Sequence, residues 1–157
     1  MIELNEFIIK EGVKRKYILD ASVIIKWYFL ENESDLEIAN HIHEKVMGDK
    51  IIIASPDIMI YEVLNFFISK LEIPSSKMAD ILSELNDIIF IINTDISIQK
   101  KAFELSRKIK TTIYDSLYLA LSQSLDCPLI TADNKLKMAA GKENCSVLLL
   151  SEFKSTY

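Results

Sequence analysis

Apolar residues along this chain follow two rhythms. Short uninterrupted runs lie at Tyr17 to Leu19, Ile51 to Ala54, Ile88 to Ile92, Pro128 to Thr131 and Val147 to Leu150. Their length and continuity suit strands buried on both faces. Between them lie longer segments with helical spacing: 22–30, Ser34 to Met47, Asp57 to Leu71, Lys77 to Asp87, Ile96 to Ile109, 112–125 and Lys135 to Ala140. Strands alternating with helices predict an α/β fold, with a mostly parallel sheet covered on both faces.

Local signals place the element ends. Ser34-Asp35-Leu36-Glu37 has the form of a capping box, and Gly48 that of a helix stop. Ser55-Pro56 predicts a helix start with proline in the first turn. Pro74-Ser75-Ser76 breaks the chain. Thr112-Ile113-Tyr114-Asp115 resembles a capping box with Asp in place of Glu, which sets Asp115 in a first helical turn. The helix from Asp57 to Leu71 is almost wholly apolar. Its polar positions and the next one, Glu62, Asn65, Ser69 and Glu72, are spaced 3, 4 and 3 apart and form one stripe.

Composition narrows the class. The 157 residues are 50% apolar and 26% charged, with only 3 Gly and 3 Pro, which suits one globular domain rich in regular elements. A formal net charge of −5 argues against a sequence-blind nucleic-acid coat, whose affinity comes from positive charge. Cys127 and Cys145 make neither a disulfide framework nor a CxxC motif. Met1 to Lys16 carries charges throughout and has no signal-peptide core. The most membrane-like window, Ile51 to Leu71, contains Pro56, Asp57, Glu62 and Asn65, and a carboxylate at mid-bilayer is costly. The expectation is a soluble, cytoplasmic protein with no membrane partner.

Four carboxylates stand out against this apolar background. Ligand sites in open parallel sheets lie beyond the carboxyl ends of the strands. Asp20 and Asp133 each follow an apolar strand directly. Glu62 lies in the second turn of the helix after the second strand, and Asp115 starts an otherwise apolar helix. All four are expected on one edge of the sheet. A carboxylate on an apolar helix is costly unless compensated, and no Arg or Lys lies close enough in sequence to Asp115 to be its obvious partner. Oxygen ligands without His or Cys suit Mg²⁺ or Mn²⁺, and such ions would neutralise the cluster and activate water for phosphoryl chemistry. The plain alternative is that each acid only caps a helix or closes a strand.

At this point the residues carry a resemblance. Tyr17-Ile18-Leu19-Asp20-Ala21-Ser22, Lys26-Trp27, Pro56-Asp57 followed by Glu62-Val63-Leu64-Asn65, then Tyr114 to Ala120, and Thr131-Ala132-Asp133 succeed one another as in the PIN-domain family. The match resembles the VapC-type toxins of toxin–antitoxin modules most. The resemblance implies a three-layer α/β/α sandwich and a metal-dependent endoribonuclease acting on RNA. It places Asp20, Glu62, Asp115 and Asp133 on the family's acidic metal-site positions. Ser22 and Thr131 fall on its supporting hydroxyl positions, and Asn65 is grouped with them. It also implies a homodimer and a cognate antitoxin. One departure is the nineteen residues before Asp20, read as an N-terminal extension (1–16) ahead of the domain (17–157).

Weaker signals surround this core. His41 and His43 are two apart, so on a helix they point in different directions and suit a surface better than a metal pair. Trp27-Tyr28-Phe29 reads as core or interface, with base stacking as the alternative. Lys26, one turn beyond Ser22, and the cluster Lys100, Lys101, Arg107, Lys108 and Lys110 are candidates for RNA contact; Lys26, Lys108 and Lys110 are singled out. Four other functions compete. A haloacid-dehalogenase-type phosphatase or a receiver domain wants a second acid near the first strand end, which Asp20-Ala21-Ser22 lacks. A non-catalytic binding module would use the carboxylates only as structure. An RNA-processing nuclease outside any toxin–antitoxin system would share the chemistry.

Overall fold

The structure, a computed structural model, describes residues 14–28, 34–70 and 72–153. Five strands form one parallel sheet: β1 (Arg15–Leu19), β2 (Ile51–Pro56), β3 (Phe90–Ile92), β4 (Leu129–Thr131) and β5 (Val147–Leu149). Among the described residues seven α-helices connect and cover them: α1 (Ala21–Lys26), α2 (Leu36–Met47), α3 (Ile58–Lys70), α4 (Ser75–Ile88), α5 (Ile96–Ile109), α6 (Ile113–Leu125) and α7 (Asn134–Ala140). The result is the expected three-layer α/β/α arrangement. β1 opens two residues before the predicted strand, at Arg15, inside the stretch read as an extension. Residues 1–13 of that extension, and the end of the 22–30 helix at 29 and 30, lie outside the described residues.

Strand order is β3-β2-β1-β4-β5. The chain builds outward from β1 to β3, then returns to lay β4 on the other side of β1. The reversal falls between β1 and β4, and in open α/β sheets the crevice at such a point is where ligands bind. Where these two strands pair they are apolar and buried on both faces: Ile18, Leu19, Leu129 and Ile130 have no exposed surface. Helix α6 crosses the sheet against β1, β2 and β4, and packs along α5, with Lys101 Nζ 3.4 Å from Ser124 Oγ. The first polar positions after β1 and β4 are therefore delivered to one place.

Several element ends differ from the sequence expectation, each for a visible reason. The capping box at Ser34 does not form: Asp35 takes the N-cap position at φ 64° and makes no side-chain cap bond. Pro56 ends β2 instead of starting a helix. The next N–H, that of Asp57, donates to Ile92 O at 2.9 Å on the β3 side. Alternation then turns the missing N–H of Pro56 toward β1, whose pairing with β2 has already ended at Ile18 and Ala54, so no ladder bond is lost. Gly48 does end α2, but with an ordinary φ of −80°. The left-handed residue is Asp49, at φ 54°. In this glycine-poor chain Lys110, Asp126 and Asn144 likewise take left-handed positions after helices.

Candidate active site

Asp20 leaves β1 and becomes the N-cap of α1, its carboxylate accepting from Ser22 N at 3.5 Å. Two hydroxyls donate to the same oxygen, Oδ2: Ser22 Oγ at 2.9 Å and Thr131 Oγ1 at 2.5 Å. Each hydroxyl then accepts a backbone N–H from beyond β4, Ala132 N on Ser22 at 3.0 Å and Asp133 N on Thr131 at 3.0 Å. A hydroxyl has one proton to give and lone pairs to receive, so both bridges are chemically complete. They fasten the end of β1 to the end of β4 through one carboxylate. Asp20 is only 8% exposed. Burial pushes its pKa up, the hydroxyl and amide bonds pull it back, and the charge of Asp115 raises it further.

Glu62 reaches the same cavity from α3. Its Oε2 accepts the phenol of Tyr118 at 2.5 Å. Burial raises its pKa to about 7; the Tyr118 bond opposes this, and the charges of Asp20 and Asp115 add to it. Tyr118 is fully buried in α6. Burial and the charges of Asp20 and Glu62 hold its pKa well above the ordinary value, so it stays a phenol and a donor. Its role is invisible in the sequence run, where a tyrosine among leucines reads as core. The available signal was its spacing three residues beyond Asp115, on the same helix face.

Asp115 sits in the first turn of α6, whose N-cap Thr112 accepts from Asp115 N at 3.1 Å. The carboxylate does not close the box back onto the backbone. Instead its Oδ2 accepts the hydroxyls of Thr111 at 2.9 Å and Thr112 at 2.8 Å. Asp133 caps α7 with Oδ1, which accepts Lys135 N at 2.7 Å and Leu136 N at 3.2 Å.

All four acids, with Ser22, Asn65, Phe66 and Ser69, line one cavity of about 380 Å³. Thr131 stands behind it, fully buried. Among the described residues none of the four carboxylates forms an ion pair. Each also keeps an oxygen with no close donor among the described residues: Glu62 Oε1, Asp115 Oδ1, Asp133 Oδ2 and, beyond its 3.5 Å contact, Asp20 Oδ1. In kind and placement this donor set fits a hard divalent cation. As the side chains stand, no three His, Cys, Asp or Glu among the described residues close on a single ion position. Rotation of the carboxylates would have to complete the coordination.

The remaining sequence candidates are spread more widely. Lys26 is buried, with Nζ 3.1 Å from Ser34 O, and borders a neighbouring cavity instead of the carboxylates. Lys108 pairs with Glu143 at 3.3 Å, and Lys110 closes α5 in the left-handed conformation, five residues before Asp115. His43 Nε2 lies 2.8 Å from Glu84 Oε1, and its ring packs 4.7 Å from that of Trp27. The same Glu84 oxygen accepts the Tyr28 phenol at 3.0 Å. Trp27 and Tyr28 thus belong to the packing between helices, and Phe29 lies outside the described residues.

The PIN domain family model matches residues 17–142, so the chain belongs to that family. Solved structures share the fold at low identity. A toxin–antitoxin complex from Klebsiella pneumoniae is 16% identical with a TM-score of 0.63, over 87% of this chain and 99% of that one. PAE2754 from Pyrobaculum aerophilum is 16% identical with a TM-score of 0.62, over 91% and 89%. VapC20 from Mycobacterium tuberculosis, a sarcin–ricin loop cleaving toxin, is 12% identical with a TM-score of 0.61, over 78% and 94%. A comparison with curated protein sequences finds no significant match.

Proposed function

We propose that this protein is a Mg²⁺- or Mn²⁺-dependent endoribonuclease and the toxin of a toxin–antitoxin module. The observation that carries the reading is the gathering of Asp20, Glu62, Asp115 and Asp133 around one cavity with no cationic side chain among the described residues to neutralise them. Membership of the PIN family supports a nuclease, and the likeness to toxin–antitoxin structures supports the module. A bound divalent ion would supply Lewis acidity at the scissile phosphate and a more acidic water.

The chain's own residues do the rest. Asp20, Glu62, Asp115 and Asp133 would hold the ion, and Ser22 and Thr131 fix the orientation of Asp20. Asn65, one turn beyond Glu62 on α3, faces the same space. In the metal-free site Glu62, whose pKa is raised to about 7, holds a proton near neutrality that a bound ion would displace, and Tyr118 keeps its carboxylate aimed. Lys26, Lys108 and Lys110 are the proposed RNA contacts, Lys108 by exchanging its Glu143 partner for phosphate. The net charge is −5, and leaving out the four site acids it is −1, so bound cations make the site locally receptive to RNA. A homodimer and an antitoxin that covers the cavity complete the proposal, in the cytoplasm.

The test is cleavage of a mixed RNA pool by chelator-treated protein, before and after Mg²⁺ or Mn²⁺ is restored, with co-expression of the product of the adjoining open reading frame. Metal-dependent cleavage suppressed by that product is the expected result. Cleavage without suppression would favour an RNA-processing nuclease, and no cleavage a binding module.

A further inference from the structure

The carboxylate cavity opens onto a larger one. Ser22, Ile25, Phe66 and Asp133 line both. The second encloses about 580 Å³, a size typical of sites for small organic groups. Its character is different. Of the four acids only Asp133 reaches it, and to the shared ring of Phe66 and side chain of Ile25 it adds Lys26, Asn134 and Lys135. Phe66 is held in place by the buried Phe67, whose ring meets it edge-on at 5.5 Å and 86°. Lys26 brings a buried ammonium to the wall, and Lys135 an exposed one two residues from Asp133.

We infer that this second cavity is a nucleotide subsite, holding the RNA residue adjacent to the phosphodiester at the carboxylates. The inference rests on the ribonuclease reading and adds to it where the neighbouring nucleotide lies. A strand whose phosphate sits among the acids must continue outward, and the shared wall makes this cavity the adjoining space. Each part of a nucleotide meets a matching group there. The base has an aromatic face in Phe66 and an aliphatic one in Ile25, and stacking accepts any base. The Asn134 amide can both donate to and accept from a base edge. Lys135 and Lys26 supply the positive charge that a flanking phosphate needs beside an otherwise acidic site.

The test uses the full chain carrying Asp115→Asn, so that RNA is bound without being consumed. Its affinity for labelled single-stranded homopolymer RNAs is measured in Mg²⁺ at several salt concentrations. Adding Phe66→Ala should weaken binding at least about tenfold, as loss of a stacking platform does. Phe66→Trp should retain it. Lys135→Glu, at an exposed position with little bearing on folding, should weaken binding about tenfold and flatten its salt dependence. In the active chain the same changes should raise KM more than they lower kcat. RNA affinity within about twofold of the parent in both Phe66→Ala and Lys135→Glu, with unchanged melting, overturns the subsite alone. No RNA binding or cleavage by the parent chain overturns both this and the ribonuclease reading. Loss of self-association or of antitoxin binding in these variants, with RNA binding intact, would give the cavity to a protein and also overturn it.

Discussion

Thr131 donates its hydroxyl to Asp20 at 2.5 Å across 111 residues of sequence, joining the two strands that flank the reversal of the sheet. The bond is buried, and it acts on the least exposed of the four acids. Thr131→Val keeps the shape and removes the donor. The variant should lose about 1–3 kcal/mol of stability, the cost of leaving a buried polar partner unsatisfied. Thr131→Ser should restore most of it. Denaturant melts of the three proteins, in chelator, measure this directly, and equal midpoints would mean that the hydroxyl does not support the carboxylate.

Tyr118 is the residue that the sequence conceals. Its phenol lowers the pKa of Glu62 against the pull of burial. Tyr118→Phe should therefore move the Glu62 pKa above its value of about 7 in metal-free protein. Carboxyl chemical shifts followed by NMR through a pH titration read the change.

The contrast between Asp20 and Tyr118 marks what the amino-acid order reveals. Asp20 and Asp133 are legible because the apolar runs Tyr17 to Leu19 and Leu129 to Ile130 lead into them, and a charge there has no reason in packing. Asp115 is legible for the same reason at a helix start. Tyr118 is not, because its meaning depends on Glu62, 56 residues away and on another helix. The parallel sheet and the helix Ile96–Ile109 follow directly from periodicity. Ser34 misleads because a capping box needs an extended N-cap, and the chain enters α2 through a left-handed Asp35 instead. Pro56 misleads because a proline suited to a first helical turn is equally suited to a strand that has outrun its neighbour. The second cavity could not be foreseen, since Phe66 and Lys135 come to line one space only in three dimensions.

Burial of unpaired acids also sets a pH dependence. Asp20 and Glu62 both have raised pKa values in the folded chain, Glu62 from 4.5 to about 7. A carboxyl that binds its proton more tightly when folded stabilises the fold at low pH. For Glu62 that contribution is complete below about 4.5 and is lost as pH rises through about 7. Metal-free protein should thus melt at a higher temperature near pH 5.5 than near pH 7.5, and Glu62→Gln should reduce the difference. Melting curves in chelator at the two pH values decide this, and a parent that is more stable at pH 7.5, with Glu62→Gln identical to it, would contradict it.

Tyr61 and Ile68 lie seven residues apart on one face of α3 and are 66% and 82% exposed. Two large apolar side chains so exposed on a helix are what a homodimer contact would cover. Light scattering should find a dimer at micromolar concentration, and Tyr61→Glu with Ile68→Glu should give a monomer. A monomeric parent with no partner present would remove this prediction.

Asp115→Asn separates a metal site from a scaffold most sharply. The substitution keeps an oxygen to accept the hydroxyls of Thr111 and Thr112, and it keeps the backbone N–H that caps on Thr112. What it removes is one negative charge, which acts on both Asp20 and Glu62. In chelator the variant should melt at the same temperature as the parent or higher, because repulsion in a poorly solvated cavity is relieved. With Mg²⁺ or Mn²⁺ at about one hundred times its dissociation constant, the parent should gain about 2.7 kcal/mol by linkage. In a domain of this size that is a rise of roughly 5–10 °C. The variant should gain much less, and RNA cleavage should fall at least about a hundredfold. A purely structural Asp115 gives the opposite pattern: a lower melting temperature in chelator, the same response to metal as the parent, and no metal-dependent cleavage to lose. Four melting curves and one cleavage assay therefore distinguish the two, because the sign of the change in chelator and the size of the response to metal arise from different physical causes.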